Sequence, residues 1–391
     1  MTLKIPLVSL ARIVALTVLV SACATAAPDD GPDVTPGEQP QPASVEADFW
    51  MITDTAERQI KDSGRRVMDP AINAYVRRVV CAIAGPYCGD IRVYIIRVPD
   101  FNASMMPNGA MQVWTGLLLR ARNEAEFAYV IGHEIGHYLR RHTLKRMIDL
   151  RAKTDALVFV QLAIGAAGGY PLAGNLVQLL TMASISAYSR DQERESDAVG
   201  FRLLVDAGYD PYQAAPIWRR LIAEAQAADE DQRSIFFASH PAPEERAETL
   251  EKLAEESGAR GGAFEARYLE AILPLRAGLF RDELRSRRFD RLQVVLDHHF
   301  EAAAKLGELH YIQGELYRLR GADGDEALAI DAYRRALSAD GAPPETDRDL
   351  GLILMKKQQS GEALGHLRAY LAATPEAEDR AMVLSYIATL E

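Results

Sequence analysis

The chain has 391 residues, a formal net charge of -11 and 25% charged residues. That length accommodates two or three domains with a substantial core. The acidic balance, and the lack of a basic patch interleaved with aromatics, exclude non-specific nucleic-acid binding.

Lys4 and Arg12 precede an apolar run from Ile13 to Val20, and Val20-Ser21-Ala22-Cys23 follows. A charged start, an apolar middle and small residues before a cleavage point read as an export signal. The run is short for a membrane span. Ser-Ala-Cys resembles the lipobox of bacterial lipoproteins, which implies that Cys23 becomes the acylated first residue of the mature chain. Ala24 after it, in place of Asp, implies the outer membrane. An ordinary signal peptide cleaved nearby is the alternative, and both readings export the protein. Residues 23–48, rich in Pro, Asp, Gln and Gly, read as a disordered tether. Of the remaining cysteines, Cys81 and Cys88, an exported compartment permits a disulfide. Two reduced thiols are the alternative, and no further cysteine completes a zinc set.

Phe49 to Ser63 reads as a short helix. Asp69-Pro70 is an N-cap followed by Pro at the first helical position, and Ala71 to Ala84 is amphipathic until Gly85-Pro86 stops it. Ile91 to Val98 alternates and is β-branched, so it predicts a strand. Pro107-Asn108-Gly109 marks a tight turn, and Met111 to Trp114 a second strand. A small antiparallel sheet is therefore expected. Its exposed edge is either a place where an extended peptide adds as a strand or a purely structural hairpin.

Asn123 is a good N-cap with Glu126 at the third helical position, as in a capping box. Phe127, Ile131 and Ile135 repeat at i+4 and give an apolar face. On this helix stands His133-Glu134-Ile135-Gly136-His137. Positions i and i+4 share one face, so both imidazoles can hold one metal ion. Glu134, one position along from His133, can reach a water on that metal but not the metal itself. Gly132 and Gly136 each cost about 1 kcal/mol of helix propensity relative to Ala. They also let another backbone approach closely, as a third ligand from a second helix requires.

Thr143 to Ile164 continues helical. Ala156 to Ala183 is poor in charge but interrupted by Gly168-Gly169-Tyr170-Pro171, too broken for a transmembrane helix. It reads as a buried helical hairpin, or as a lid facing membrane or substrate. The next helix runs through Ser189 and Arg190 to about Ala207 and is stopped by Gly208. Glu193 on it can supply a third zinc ligand. Asp197, one turn on, can accept the second imidazole proton of a ligating histidine.

The His-Glu-Ile-Gly-His motif, followed by Ser189-Arg190-Asp191-Gln192-Glu193-Arg194-Glu195-Ser196-Asp197, resembles the zinc metallopeptidases that include HtpX and the CAAX prenyl proteases. The resemblance spans roughly Phe49 to Leu253. It includes Asn102-Ala103, Pro107-Asn108-Gly109 and Ser239-His240-Pro241-Ala242-Pro243-Glu244-Glu245-Arg246. The membrane spans of HtpX are missing, and the chain is more similar to the periplasmic, BepA-type members. What this implies is one zinc on His133, His137 and Glu193, with Glu134 as catalytic base and Asp197 in support. Ser196 stands where the family often has Ala. A tetrahedral oxyanion needs a further stabiliser, and Arg190, Tyr188 and His240 are candidates. His240 is also a candidate fourth zinc ligand, since the corresponding His-Pro loop of BepA-type proteins is thought to plug the site. Capping of the following helix is a third role for it.

From Phe264 onward the texture changes to Ala, Leu, Arg and Glu at helical spacing. Gly314, Tyr317, Ala327, Tyr333 and Ala336 are echoed by Gly351, Leu354, Ala363, Leu367 and Tyr370. This looks like two degenerate tetratricopeptide-type (TPR-like) repeats with a period of about 34 to 37 residues. Arg281 to His299 reads as an earlier helix pair and Ala381 to Leu390 as a capping helix. Stacked repeats present a concave binding surface; a generic helical bundle is the alternative. His298, His299, His310 and His366 read as surface residues, and His142 as off the ligand spacing.

The expected fold class is α+β, mainly α. A signal peptide occupies 1–22 and the tether 23–48. A zincin-like metallopeptidase domain with a small antiparallel sheet follows at 49–262, and a TPR-like helical repeat domain at 263–391. The resemblance implies a periplasmic zinc endopeptidase, anchored to the outer membrane as a lipoprotein. It would cleave unfolded or unassembled envelope proteins and reach outer-membrane assembly machinery through its repeats. The rival is a non-proteolytic assembly factor or chaperone. An intact set of His133, Glu134, His137 and Glu193 disfavours it.

Overall fold

In a computed structural model, which describes residues 33–153, 187–227, 235–303 and 305–391, Ser44 and Asp69 open the first two helices. The export signal with Cys23 and the apolar segment 156–183 lie outside the described residues. Helix α1 is Val45–Lys61 and α2 is Pro70–Ala84. The Asp69 carboxylate accepts from the Ile72 N–H at 3.0 Å, and Pro70 takes the first helical position. A short 3-10 turn, Gly85–Gly89, then brings Cys88 back to Cys81. The two are joined as a disulfide, with their Cα atoms 4.7 Å apart.

Three strands follow: β1 (Arg92–Ile96), β2 (Ala103–Met105) and β3 (Ala110–Trp114), in the order β1-β3-β2. Strands β2 and β3 form a hairpin about the expected Pro107-Asn108-Gly109 turn, antiparallel with Met105 opposite Met111. Strand β1, however, pairs with β3 in parallel, Arg92 opposite Ala110. The sheet is therefore mixed, not antiparallel. The three-residue strand β2 reverses the chain once before the turn, so β3 returns along the direction of β1. A strand that short has no alternation to detect.

Helix α3 (Thr115–Arg120) leads into α4 (Glu124–Leu139), which carries the histidine motif. The Asn123 side chain accepts from the Glu126 N–H at 2.9 Å. Glu126 reaches back to the Arg122 N–H at 2.8 Å, one residue earlier than in a standard capping box. Every residue of α4 is buried, not one face only. It packs against α2, the sheet and the helix Arg190–Asp206.

Around it lie α5 (His142–Lys153), α6 (Arg190–Asp206), α7 (Pro216–Ala227), α8 (Ile235–Ser239) and α9 (Pro243–Ser257). Among the described residues seven more helices follow: α10 (Glu265–Ser286), α11 (Phe289–Ala303), α12 (Gly307–Arg320), α13 (Asp325–Leu337), α14 (Glu345–Lys356), α15 (Ser360–Ala373) and α16 (Arg380–Leu390). Consecutive helices from α12 to α16 pack on one another around smaller apolar clusters. Among the described residues, no helix is long and apolar enough to cross a membrane.

The main core does not stop near residue 262. It runs from Val76 and Ile131 through Tyr268, Phe280 and Leu296 to Leu316, so α10–α12 share it with the sheet and α4. His299, expected on the surface, is half-buried at this junction with Nε2 2.9 Å from the Leu119 carbonyl oxygen. The second half of the expected tether is also ordered. Val34 is buried, and the Asp33 N–H donates to the Leu139 carbonyl at 2.8 Å. Arg141 pairs with Glu38 and Glu46, and Lys145 with Asp33. A polar, proline-rich segment lacks a core of its own, but here it gains one apolar anchor and several charge partners just after α4.

Candidate metal centre

Helices α4 and α6 touch backbone to backbone, and small residues make that possible. A Cβ added at Gly136 would lie 2.7 Å from Ser196 Oγ and 2.8 Å from its carbonyl oxygen. One added at Gly200 would lie 2.7 Å from the His133 nitrogen. The close approach expected from Gly132 and Gly136 is present. Ser196 is small enough for it, and its hydroxyl donates to the His133 carbonyl at 2.6 Å. Ser189 and Gln192 close a capping box at the start of α6, which fixes the turn that carries Glu193.

This crossing, with the end of α8, brings four buried side chains together: His133, His137, Glu193 and His240. Their candidate ligand atoms all lie within 4.8 Å of one another. His133 Nε2 is 3.0 Å from His137 Nε2 and 3.3 Å from His240 Nδ1. Glu193 Oε1 is 3.0 Å from His240 Nδ1 and 3.4 Å from His137 Nε2, and its Oε2 is 3.7 Å from His133 Nε2. A tetrahedral zinc site with ligand bonds near 2.0–2.1 Å has edges of about 3.3 Å. Three imidazoles and a carboxylate are also zinc's usual donor types, so the residues fit such an ion. The Oε1 of Glu134 supports this. It is buried, has no hydrogen-bond partner among the described residues, and stands 3.8 Å from His240 Nε2.

The electrostatics follow from burial. Desolvation pushes the Glu134 carboxyl well up, helped by the nearby Glu193 charge. It pushes His137 well down and His240 down to about 4. Burial would raise Glu193 too, but His240 and Arg246 hold it far below the usual carboxylate range. Asp197 behaves likewise beside Arg246 and His133. Its Oδ1 is 2.9 Å from His133 Nδ1 and accepts from the Tyr129 hydroxyl at 2.6 Å.

Arg190 is not brought to this cluster. It lies exposed on the first turn of α6, 3.7 Å from Glu245. The buried cation is Arg246 of α9, with Nη1 2.7 Å from Glu193 Oε2 and Nη2 2.6 Å from Asp197 Oδ1. Its guanidinium lies over the Trp218 ring, 4.0 Å from the centroid. The sequence signal for it is an arginine within the apolar stripe Ala247, Leu250 and Ala254. Tyr188 is buried and stacked on His137, centroids 3.8 Å apart, with its hydroxyl 2.8 Å from Thr143 Oγ1. His142 is buried beside His137, which its five-residue offset from that histidine gave no reason to expect.

Residues 67–254, which contain all of these side chains, match the sequence profile of peptidase family M48. The chain is 29% identical over 217 residues to the mitochondrial metalloendopeptidase OMA1 of Schizosaccharomyces pombe, covering 54% of this chain and 61% of that protein. It is 30% identical over 221 residues to the metalloprotease LoiP of Escherichia coli, covering 51% of this chain and 81% of LoiP. With the beta-barrel assembly-enhancing protease of Escherichia coli it shares 25% identity over 199 residues, covering 48% of this chain and 40% of that protein. The chain thus spans less than two thirds of the first and last of these relatives. Residues 67–254 hold the histidine helix, the glutamate helix and the His240 turn in one span, and the match to LoiP extends over most of that protein; the chain belongs to peptidase family M48.

Proposed function

We propose that the protein is a zinc-dependent endopeptidase of the cell envelope, acting on unfolded or unassembled envelope proteins. The observation that carries this reading is the buried Glu134 Oε1, without a hydrogen-bond partner among the described residues, beside a buried set of three histidines and Glu193. His133, His137 and Glu193 would hold the ion. When bound, zinc polarises a peptide carbonyl and acidifies a water. Glu134 would accept a proton from the attacking water and hand it to the leaving amine. Burial, which raises its carboxyl, makes it the stronger base for the first step. Asp197 orients His133, and Arg246 balances the two carboxylates of α6.

His240 is read as a plug. Its Nδ1 stands among the ligand atoms, and its ring is stacked on Phe236 with centroids 4.2 Å apart. As a fourth ligand it would occupy the position that water or substrate requires. Helices α12–α16, which pair in sequence order, support a TPR-like module that recruits protein partners. Similarity to a protein named for beta-barrel assembly supports outer-membrane assembly as the setting. The lipobox-like Cys23 supports a lipid anchor.

The test is cleavage of an unfolded test protein by the zinc-loaded chain, its chelated form and Glu134→Gln. Zinc-dependent cleavage is expected, with Glu134→Gln keeping the metal and losing activity. Full activity in Glu134→Gln would overturn the assignment.

A further inference from the structure

Each α4 histidine turns one ring nitrogen toward the cluster and one away. The outer nitrogen of His133 meets a carboxylate directly, Asp197 at 2.9 Å. The outer nitrogen of His137 meets another imidazole. Its Nδ1 lies 3.0 Å from Nδ1 of His142. His142 is itself buried, and its Nε2 is 3.0 Å from Glu195 Oε2. The other carboxylate oxygen of Glu195 is 2.9 Å from Arg140 Nε. The row Arg140, Glu195, His142, His137 therefore runs from the half-buried side of α6 to the candidate ligand set.

The backbone is bent to make this contact. Arg141, between α4 and α5, adopts φ +52°, a left-handed conformation uncommon for a residue with a side chain. Its guanidinium is held by Glu38 and Glu46. The reversal carries His142, the first residue of α5, back over the end of α4 and onto His137.

We infer that His142, backed by Glu195, is a positioning residue that fixes the tautomer and ring orientation of His137 for metal binding. The inference rests on the metal-centre reading above. Two ring nitrogens 3.0 Å apart share a single proton. His137 must keep the Nε2 lone pair for the cluster, so its proton sits on Nδ1 and is donated to His142 Nδ1. His142 then carries its own proton on Nε2 and donates it to Glu195. The arrangement does for His137, through one interposed imidazole, what Asp197 does for His133 directly. Outer partners of this kind orient a ligating histidine and raise its basicity. Both the ligand and its support lie within one short stretch of chain, and Glu195 comes from the helix that also carries Glu193.

The experiment is zinc affinity by chelator competition on the full chain, with the melting temperature of the metal-free protein measured in parallel. His142→Phe is expected to weaken zinc binding by roughly 10–100-fold. His142→Asn, whose amide oxygen can accept from His137 Nδ1–H, is expected to recover most of that loss. Glu195→Leu is expected to weaken binding less than His142→Phe. A purely structural role predicts instead that the melting temperature falls while zinc affinity of the folded protein stays the same. Unchanged affinity in His142→Phe, or no recovery in His142→Asn, overturns the inference while leaving the metal centre standing. If His142→Phe does not fold, unchanged affinity in Glu195→Leu overturns it. A wild-type chain that binds no zinc removes the metal centre and this inference together, and is a distinct result.

Discussion

Arg246 Nη1 lies 2.7 Å from Glu193 Oε2, at the base of the four-residue cluster and out of solvent. The same guanidinium holds Asp197 through Nε at 2.8 Å and Nη2 at 2.6 Å. One buried cation thus serves two buried anions on successive turns of α6. Removing it leaves both carboxylates uncompensated. Breaking a buried pair in this way costs about 3–5 kcal/mol. Arg246→Met is expected to lose stability on that scale in urea unfolding of the metal-free protein. Adding Asp197→Asn should restore part of it, because one stranded charge is then gone. A single variant as stable as wild type would show that the pairing contributes nothing net.

The contact between α4 and α6 sets a second expectation. A Cβ at Gly136 meets Ser196 Oγ at 2.7 Å, its carbonyl oxygen at 2.8 Å and its Cα at 3.1 Å. Two of these three are backbone atoms, so a rotamer change cannot relieve the clash. Gly136→Ala should force the helices apart at a cost of about 1–3 kcal/mol. It should also weaken zinc binding, because Glu193 moves away from His137. Pairing it with Ser196→Ala should not rescue either property. Gly132→Ala, whose nearest neighbour is Gly200 O at 3.1 Å, should be milder. Chelator competition and urea unfolding of the three variants check the order.

A pH dependence follows from Glu124 at the start of α4. Burial alone would raise its carboxyl, but hydrogen bonds from Arg78, Arg267, Tyr209 and Tyr75 hold it at about 2 against an ordinary 4.5. The folded pKa is depressed, so the unfolded chain binds more protons between those values. The stabilisation is complete above about pH 4.5 and fades as pH falls toward about 2. Melting temperatures of wild type and Glu124→Gln should therefore differ most at neutral pH and converge in acid. Parallel curves down to pH 2.5 would contradict this.

His240 gives a prediction whose sign decides its role. A plug predicts that His240→Ala raises basal cleavage of an unfolded protein, including self-cleavage, with zinc still bound. A donor to the oxyanion predicts a loss of about 2.7–4 kcal/mol of transition-state stabilisation. The ring's place among the ligand atoms favours the first. Lower activity in the variant, measured against wild type under the same zinc load, sinks the plug.

Cys81 and Cys88 close a loop with a separation of seven residues. So short a crosslink restricts the unfolded chain modestly, by about 2 kcal/mol. The Cys81→Ala, Cys88→Ala double variant should lose that much in urea unfolding. Two free thiols in mass spectra of unreduced envelope material would show that the bridge does not form in the cell.

Local rules settle much of this protein. Asp69-Pro70 and Asn123 each open a helix where cap chemistry says they should, because capping depends only on a few neighbouring atoms. The i, i+4 spacing of His133 and His137 puts both on one face of any helix, and Gly132 and Gly136 announce a close neighbour. Tertiary structure decided the rest. The direction of β1 against β3 depends on a three-residue strand with no pattern of its own. The buried cation is Arg246 and not Arg190, because Arg246 packs inward from α9 while the Arg190 side of α6 faces water. His142 reaches His137 only because Arg141 takes a left-handed turn, held by Glu38 and Glu46 from a segment that reads as disordered. Each of these depends on which distant surfaces meet, and residue spacing along the chain does not carry that.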